Sequence, residues 1–228
     1  MEEFLDSGLR TTLFAGISVS ADVLCPECWS RLEPAPGEGR LAGSFAGARD
    51  VPVVSPFHTN DELLALVRFL KFSGGRTAVP ALGWWMAAAL GDYLGTSAER
   101  DSLDRVLVPV PLHPLREKSR GYNQAALLAR EVAGRLGLDV DPRILRRIRN
   151  TKAQSTLESG ARAANVEGAF ALARSDLANA RNIILVDDLV TTGETVLACA
   201  AALQEGSPSS VAVLSAGRAR DDRSMPPG

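Results

Sequence analysis

The sequence predicts an α/β protein: a parallel sheet with flanking helices over residues 59–228, behind a small irregular module over residues 1–58. Three observations lead there. From Asp104 onward, short apolar runs alternate with amphipathic ones, the texture of strands joined by crossover helices. One of those runs, "NIILVDD" at 182–188, is apolar enough to be buried on both faces, as strands of parallel sheets are. The first 58 residues are instead rich in Gly, Pro and Ala, with little periodicity and a linker-like stretch from Pro34 to Asp50.

The elements follow in order. Asn60 is the predicted N-cap of a helix over "NDELLALVRFLKF", whose apolar residues form a broad stripe. "VPALGWWMAAALGDYL" is apolar nearly all round and predicts a helix packed inside; Gly and Asp break it well short of a membrane span. "DRVLVPVPL" predicts a strand and "YNQAALLAREVAGRLG" an amphipathic helix closed by Gly137. "RILRRI" and "VEGAFALA" predict strands on either side of a polar segment. After "NIILVDD" come a helix and a last strand, "SSVAVLSA", and the tail "RARDDRSMPPG" reads as frayed.

Composition sets the frame. With 46% hydrophobic residues in 228, one sizeable core can form, and a net charge of -2 gives no global pull toward nucleic acid. "MEEFLD" is acidic where a signal peptide is basic, and three scattered cysteines make no disulfide framework. The expectation is a cytoplasmic protein without membrane insertion.

An apolar strand that ends in Asp187-Asp188 puts carboxylates at the ligand edge of a parallel sheet. The backbone amides of Leu189, Val190, Thr191, Thr192 and Gly193 then lead into a helix N-terminus, an anion cradle beside two hydrogen-bond acceptors. A sugar phosphate satisfies both halves. The chain has no GxxxxGK followed by Ser or Thr, which argues against an ATPase, and no GxGxxG, which argues against a dinucleotide fold.

"ILVDDLVTTGET" resembles the phosphoribosyl pyrophosphate (PRPP) motif of type I phosphoribosyltransferases. "VPVPLHPLREKSRGYNQAALLA" resembles their competence-protein F (ComF) branch, also called amidophosphoribosyltransferase-like. "LCPECWSRL", "LVRFLKFSG" and "TKAQSTLESGARAANVEGAF" extend the resemblance over almost the whole chain. It implies a type I phosphoribosyltransferase-like fold, a magnesium-dependent PRPP site and, in several bacteria, an association with natural DNA uptake. It supplies no acceptor.

Residue by residue, the resemblance implies that Asp187 and Asp188 hold the ribose hydroxyls, directly or through magnesium and its waters. Thr191, Thr192, Gly193 and Thr195 would bind the 5'-phosphate. The loop from Pro111 to Arg120 stands where such enzymes hold pyrophosphate, with Arg116, Lys118 and Arg120 as its charges and Asn123 and Gln124 bracing it; "REKSR" also reads as a plain solvated loop. Residues Asn150 to Asn165 match the hood that closes over PRPP, with Lys152 and Gln154 reaching in; any one residue there also reads as part of a surface loop without a role. Of 25 basic residues only Lys71, Lys118 and Lys152 are lysines, and all three fall in these motifs, where a compact charge suits a tight phosphate site. Lys71 reads either that way or, with Arg68, as the exposed edge of a helix.

The N-terminal module resembles a degenerate zinc ribbon. Relatives carry two CxxC pairs there; this chain has Cys25 and Cys28, with Phe14 and Ile17 at the other pair's positions, so zinc is not expected. Cys199 reads as a small core residue.

Two functional classes stay open. One is a phosphoribosyltransferase using PRPP. The other is a non-catalytic PRPP sensor or a single-stranded-DNA-binding accessory working with DNA-uptake proteins. For the latter, Arg143, Arg146, Arg147, Arg149 and Lys152 are a candidate phosphate-contacting cluster, or else a solvated strand edge. Trp84, Trp85, Phe57 and Phe72 are the aromatics available as an apolar wall for an acceptor.

Overall fold

The computed structural model describes residues 25–41, 50–72, 75–96, 104–151 and 166–220. Its strands are β1 (Glu38–Leu41), β2 (Val51–Val54), β3 (Phe57–His58), β4 (Arg105–Pro109), β5 (Asp139–Val140), β6 (Leu145–Arg147), β7 (Phe170–Leu172), β8 (Asn182–Val190) and β9 (Ser210–Arg218). Its helices are α1 (Pro26–Ser30), α2 (Asp61–Leu70), α3 (Val79–Thr96), α4 (Pro114–Arg120), α5 (Gln124–Leu136) and α6 (Glu194–Gln204). The main sheet runs β1-β2-β9-β8-β4-β5, with β3 also on β9, and every pairing in it is parallel except β1 on β2.

The apolar run of β8 is explained by what covers it. Ile184 and Val186 join a core built with Leu66 of α2, Leu82 of α3 and Leu128 of α5. Ile183 and Leu185 face the other way, into a second core with Val196 and Leu203 of α6. Side chains alternate along a strand, so both faces are buried and neither can be polar. Burial of each such side chain contributes about 1.5–3 kcal/mol. Among the described residues no helix is long and apolar enough to cross a membrane.

The helix ends follow their sequence signals. Asn60 Oδ1 accepts from the Leu63 amide at 3.0 Å and starts α2. Gly137, at φ 67°, closes α5 as expected.

Four expectations are corrected. The described residues 38–41 and 50–58 are not an irregular module or linker: they supply β1, β2 and β3, while residues 42–49 lie outside the described residues. Val53 and Val54 pair with Val213 and Leu214, and Phe57 and His58 with Gly217 and Arg218, so β2 and β3 form one broken line along β9. A boundary at residue 58 therefore cuts through the sheet. The second correction concerns Arg218, which is not frayed but ends β9, buried, and donates to the carbonyls of Gly37, Val53 and Pro36 at 3.0–3.1 Å. Residues 221–228 of that tail lie outside the described residues. Third, the expected loop from Pro111 to Arg120 contains α4, which starts at Pro114 behind a His113 cap. Fourth, β6 and β7 are strands as expected, but they pair antiparallel with each other, apart from the parallel sheet.

Candidate functional site

The crossovers part between β4 and β8. The chain leaves β4 through α5 toward β5 on one side, and β8 through α6 toward β9 on the other, with α5 and α6 on opposite faces. At such a switch point the carboxyl ends of the strands leave a crevice, the usual ligand position in open α/β sheets. The ladder between β4 and β8 ends at Pro109 and Val186, with the Val110 amide donating to Val186 O at 2.9 Å. β8 continues along β9 to Val190, so everything from Asp187 onward overhangs β4.

The two acids sit in this overhang, but on opposite faces. Asp188 follows Ile184 and Val186. Its Oδ2 accepts from Gln124 Nε2 at 2.9 Å and lies 3.3 Å from Lys71 Nζ, and the side chain is nearly wholly buried. Gln124 in turn accepts from Arg120, so Arg120, Gln124, Asp188 and Lys71 form one continuous polar row. Asp187 follows Ile183 and Leu185. Among the described residues its carboxylate accepts only the adjacent Asp188 amide, at 2.8 Å. Burial first, and then the Asp188 charge, push its carboxyl up to about 7, against the opposing pull of that amide, Lys71 and Arg147. Strand alternation sends the two carboxylates to opposite faces of β8: Asp188 is held by Gln124 and Lys71, while Asp187 keeps carboxylate oxygen that no other described residue occupies.

The anion turn is also shorter than expected. Leu189 and Val190 are still strand, opposite Gly217 and Arg218, which leaves Thr191, Thr192 and Gly193 as the turn. Gly193 has φ 81°, which favours glycine, and a Cβ there would stand 2.7 Å from Leu41 Cδ2, so the Leu41 side chain would also have to shift. No side chain caps α6, whose first amides are therefore available. Asp187, Leu189, Val190, Thr191, Gly193 and Thr195 line one small cavity; Thr192 is exposed at the tip.

Across the overhang lies an open cleft of about 600 Å³, bounded by Lys71 and Phe72, by Leu115, Arg116, Ser119 and Arg120 on one face of α4, and by Asn150 and Thr151. Lys71, Arg116 and Arg120 line this cleft together. Lys118 is not: it is exposed and off the face of α4 that lines the cleft. Lys152 and Gln154, with the rest of residues 152–165, lie outside the described residues, as do Phe14 and Ile17. Asn123 Nδ2 donates to Val110 O at 3.0 Å while its Oδ1 caps α5, the predicted bracing.

Tyr122 was missed as a site residue. Its hydroxyl contacts the carbonyls of Leu70 at 2.6 Å and Phe72 at 2.5 Å, fastening the end of α2, and so Lys71, against the α4–α5 turn. Its place in "RGYNQ" was the available signal. Of the aromatic candidates, Phe57 is buried against Trp85, and Trp84 packs edge-on against Trp85 at 4.7 Å, so Phe72, 70% exposed, is the one lining the cleft.

The four arginines of the candidate cluster differ in their surroundings. Arg143 is bound two-pronged to Asp141, Arg149 donates to Glu167 O, and Arg147 turns inward over the Phe170 ring, while Arg146 is exposed. Cys199 is fully buried, which raises its thiol pKa well above the usual value, as fits a core residue. Cys25 and Cys28 lie with sulfurs 3.3 Å apart, and among the described residues no group of three potential metal ligands forms.

Fold and site together define a mostly parallel α/β protein with an acidic strand end and an uncapped helix-entry turn at its topological switch point. No family profile matches the chain. It is similar to Competence protein F of Haemophilus influenzae, 38% identical over 95 residues, 41% of this chain and 42% of that protein. It is also similar to Competence protein ComFC of Bacillus subtilis (41% over 107 residues; 46% and 41%) and to DNA utilization protein YhgH of Escherichia coli (36% over 110 residues; 48% and 47%). The chain thus spans less than half the length of the curated relatives it matches. Solved structures similar in part include hypoxanthine-guanine phosphoribosyltransferase from Schistosoma mansoni in complex with IMP, 15% identical, covering 60% of this chain and 54% of that one at TM-score 0.31. UMP synthase of Leishmania donovani is 14% identical, covering 87% and 31% at TM-score 0.34.

Proposed function

We propose that this chain is a phosphoribosyltransferase-like protein that binds PRPP with magnesium and serves DNA uptake or utilisation. One observation carries the reading: the acidic end of β8, the uncapped turn Thr191–Gly193 and the cationic cleft of Lys71, Arg116 and Arg120 converge at one switch point. A 5'-phosphate fits the turn amides with the hydroxyls of Thr191, Thr192 and Thr195. Asp187 stands where ribose hydroxyls would follow, and the cleft takes the pyrophosphate. The relatives' names, competence and DNA utilization, support the biological setting.

Magnesium fits the donors present: a hard cation held by one or two carboxylates and the ligand's own phosphates, with Asp187 keeping carboxylate oxygen for it. When bound, magnesium offsets the charge of the pyrophosphate. Asp188, fixed by Gln124 and Lys71, holds the strand end and the lysine in place. Transfer would join an acceptor's lone pair to the anomeric carbon as its bond to pyrophosphate breaks and the acceptor loses a proton. The chain's part in this is positioning and cationic stabilisation of the leaving group, with no covalent nucleophile. Calorimetry of magnesium and PRPP tests the reading: a folded Asp187→Asn/Asp188→Asn protein with parental affinity, or a parent that does not bind, rejects it. Pyrophosphate release across purines, pyrimidines, small amines and single-stranded DNA then separates a transferase from a sensor.

A further inference from the structure

Two of the three cysteines stand together at the start of α1, and neither lines the cavities at the switch point. Cys25 is exposed and occupies the N-cap position of α1; Pro26 sets the first turn, and the i, i+3 spacing brings the half-buried Cys28 round to the same side. Cys25 Sγ takes the place of a capping oxygen. The Cys28 amide donates to it at 3.4 Å and the Cys28 thiol at 3.3 Å. Both bonds favour a thiolate on Cys25 and a thiol on Cys28. The Cys25 pKa is accordingly lowered, by the amide first and then the thiol, and the Cys28 pKa is raised, first by its bond to Cys25. Cys199, fully buried in the core, is no competitor for reagents.

The thiolate is the form that attacks a disulfide, and two sulfurs already in contact can close to a bond of ~2.05 Å with little demand on the backbone. A disulfide, unlike a tetrahedral zinc site, needs no third ligand. We propose that Cys25 and Cys28 are a redox-active pair that closes to a reversible disulfide by exchange with a small-molecule disulfide of the glutathione class, Cys25 attacking and Cys28 resolving. In the first step a bond forms between Cys25 Sγ and one sulfur of the glutathione disulfide, whose own sulfur–sulfur bond breaks and releases one glutathione thiolate. In the second, Cys28 gives up its proton, its sulfur bonds to Cys25 Sγ, and the other glutathione thiolate leaves. The two thiolates take up the two protons that the cysteines lose. The dithiol is thereby oxidised by two electrons and the glutathione disulfide reduced by the same two. This pair stands apart from the PRPP reading and does not depend on it.

The test exposes the parent, Cys25→Ser and Cys28→Ser to mixtures of reduced and oxidised glutathione, quenches the thiols and reads intact masses. The expected parent product is an internal disulfide, lighter by two hydrogens and free of glutathione, which excess reduced glutathione reopens. Cys28→Ser should instead keep glutathione on Cys25, and that adduct should form at least about tenfold faster than the one on Cys28 in Cys25→Ser. Cys199 should stay unmodified in all three proteins. A parent that collects glutathione on its exposed thiols without closing the internal bond overturns the proposal. So do equal rates in the two variants, or a pair that holds zinc and reacts only after a chelator removes it. If a serine variant does not fold, the parent decides: peptide mapping must find the bond between Cys25 and Cys28, and its absence rejects the pair.

Discussion

Lys71 Nζ lies 3.3 Å from Asp188 Oδ2, a pair in which the acid is almost wholly buried and the lysine one-third exposed. Removing the lysine leaves a buried carboxylate with Gln124 as its side-chain donor among the described residues. Lys71→Met should therefore destabilise the protein, and much less so when Asp188 is already Asn. A urea double-mutant cycle should give a coupling of about 1 kcal/mol, kept modest by the exposure of Lys71. Strict additivity would mean that the pair is incidental.

Tyr122→Phe removes the hydroxyl that holds the Leu70 and Phe72 carbonyls. The expected cost is about 1 kcal/mol of stability, read from the urea midpoint. PRPP affinity should fall too, because the end of α2 carries Lys71 into the site. A change in stability with affinity intact would separate Tyr122 from the site.

Gly193→Ala forces a side chain onto φ 81° and against Leu41. The strain should destabilise the protein by about 1–3 kcal/mol and weaken ribose 5-phosphate binding. Adding Leu41→Ala removes the clash but not the φ strain, so thermal melting should show partial rescue only. Full rescue would mean that the left-handed turn costs nothing.

The Asp187 carboxyl titrates at about 7, above its ordinary 3.8, so in the metal-free protein the folded state binds this proton more tightly than the unfolded chain. Its contribution to stability is present at low pH and is lost as pH rises from about 4 through 7. Melting temperatures of the metal-free parent should fall relative to Asp187→Asn across that window and run parallel above it. A difference that grows with rising pH in the parent's favour would have the opposite sign and reject the assignment.

Cys25 and Cys28 alone do not close a tetrahedral site, since Phe14 and Ile17 offer no ligand atoms. Purified protein should carry less than one zinc per chain, and a strong chelator should leave its melting temperature unchanged. One tightly held zinc by elemental analysis would reveal ligands of another kind.

What was legible in the sequence is what local physics determines. Asn60, Gly137 and the long apolar runs of α3, β8 and β9 report on their own segments, and the structure follows them. What was not legible depends on distant partners. Val51–Val54 lies among prolines, and its strand character comes from Val213 and Leu214 alongside it. That Asp187 and Asp188 have different partners is likewise invisible in the sequence, because Gln124 and Lys71 are remote from them along the chain. Leu189 and Val190 keep the backbone extended, and an extended backbone sends neighbours apart. Arg147 read as surface because three other arginines surround it, yet its inward turn follows from Phe170 and Thr151.

The place of β9 between β2 and β8 also sets an order of events during synthesis. β2 and β3 emerge from the ribosome long before the strand they must lie against, and the carbonyls of Pro36, Gly37 and Val53 wait for Arg218. Until β9 arrives, one edge of β8 and the facing edges of β2 and β3 have no native strand partner. Closure of the sheet is thus a late, long-range step, the kind that is slow and leaves strand edges open to wrong partners. A nascent chain stalled before Ser210 would hold most of its helices and still be unable to seal its sheet.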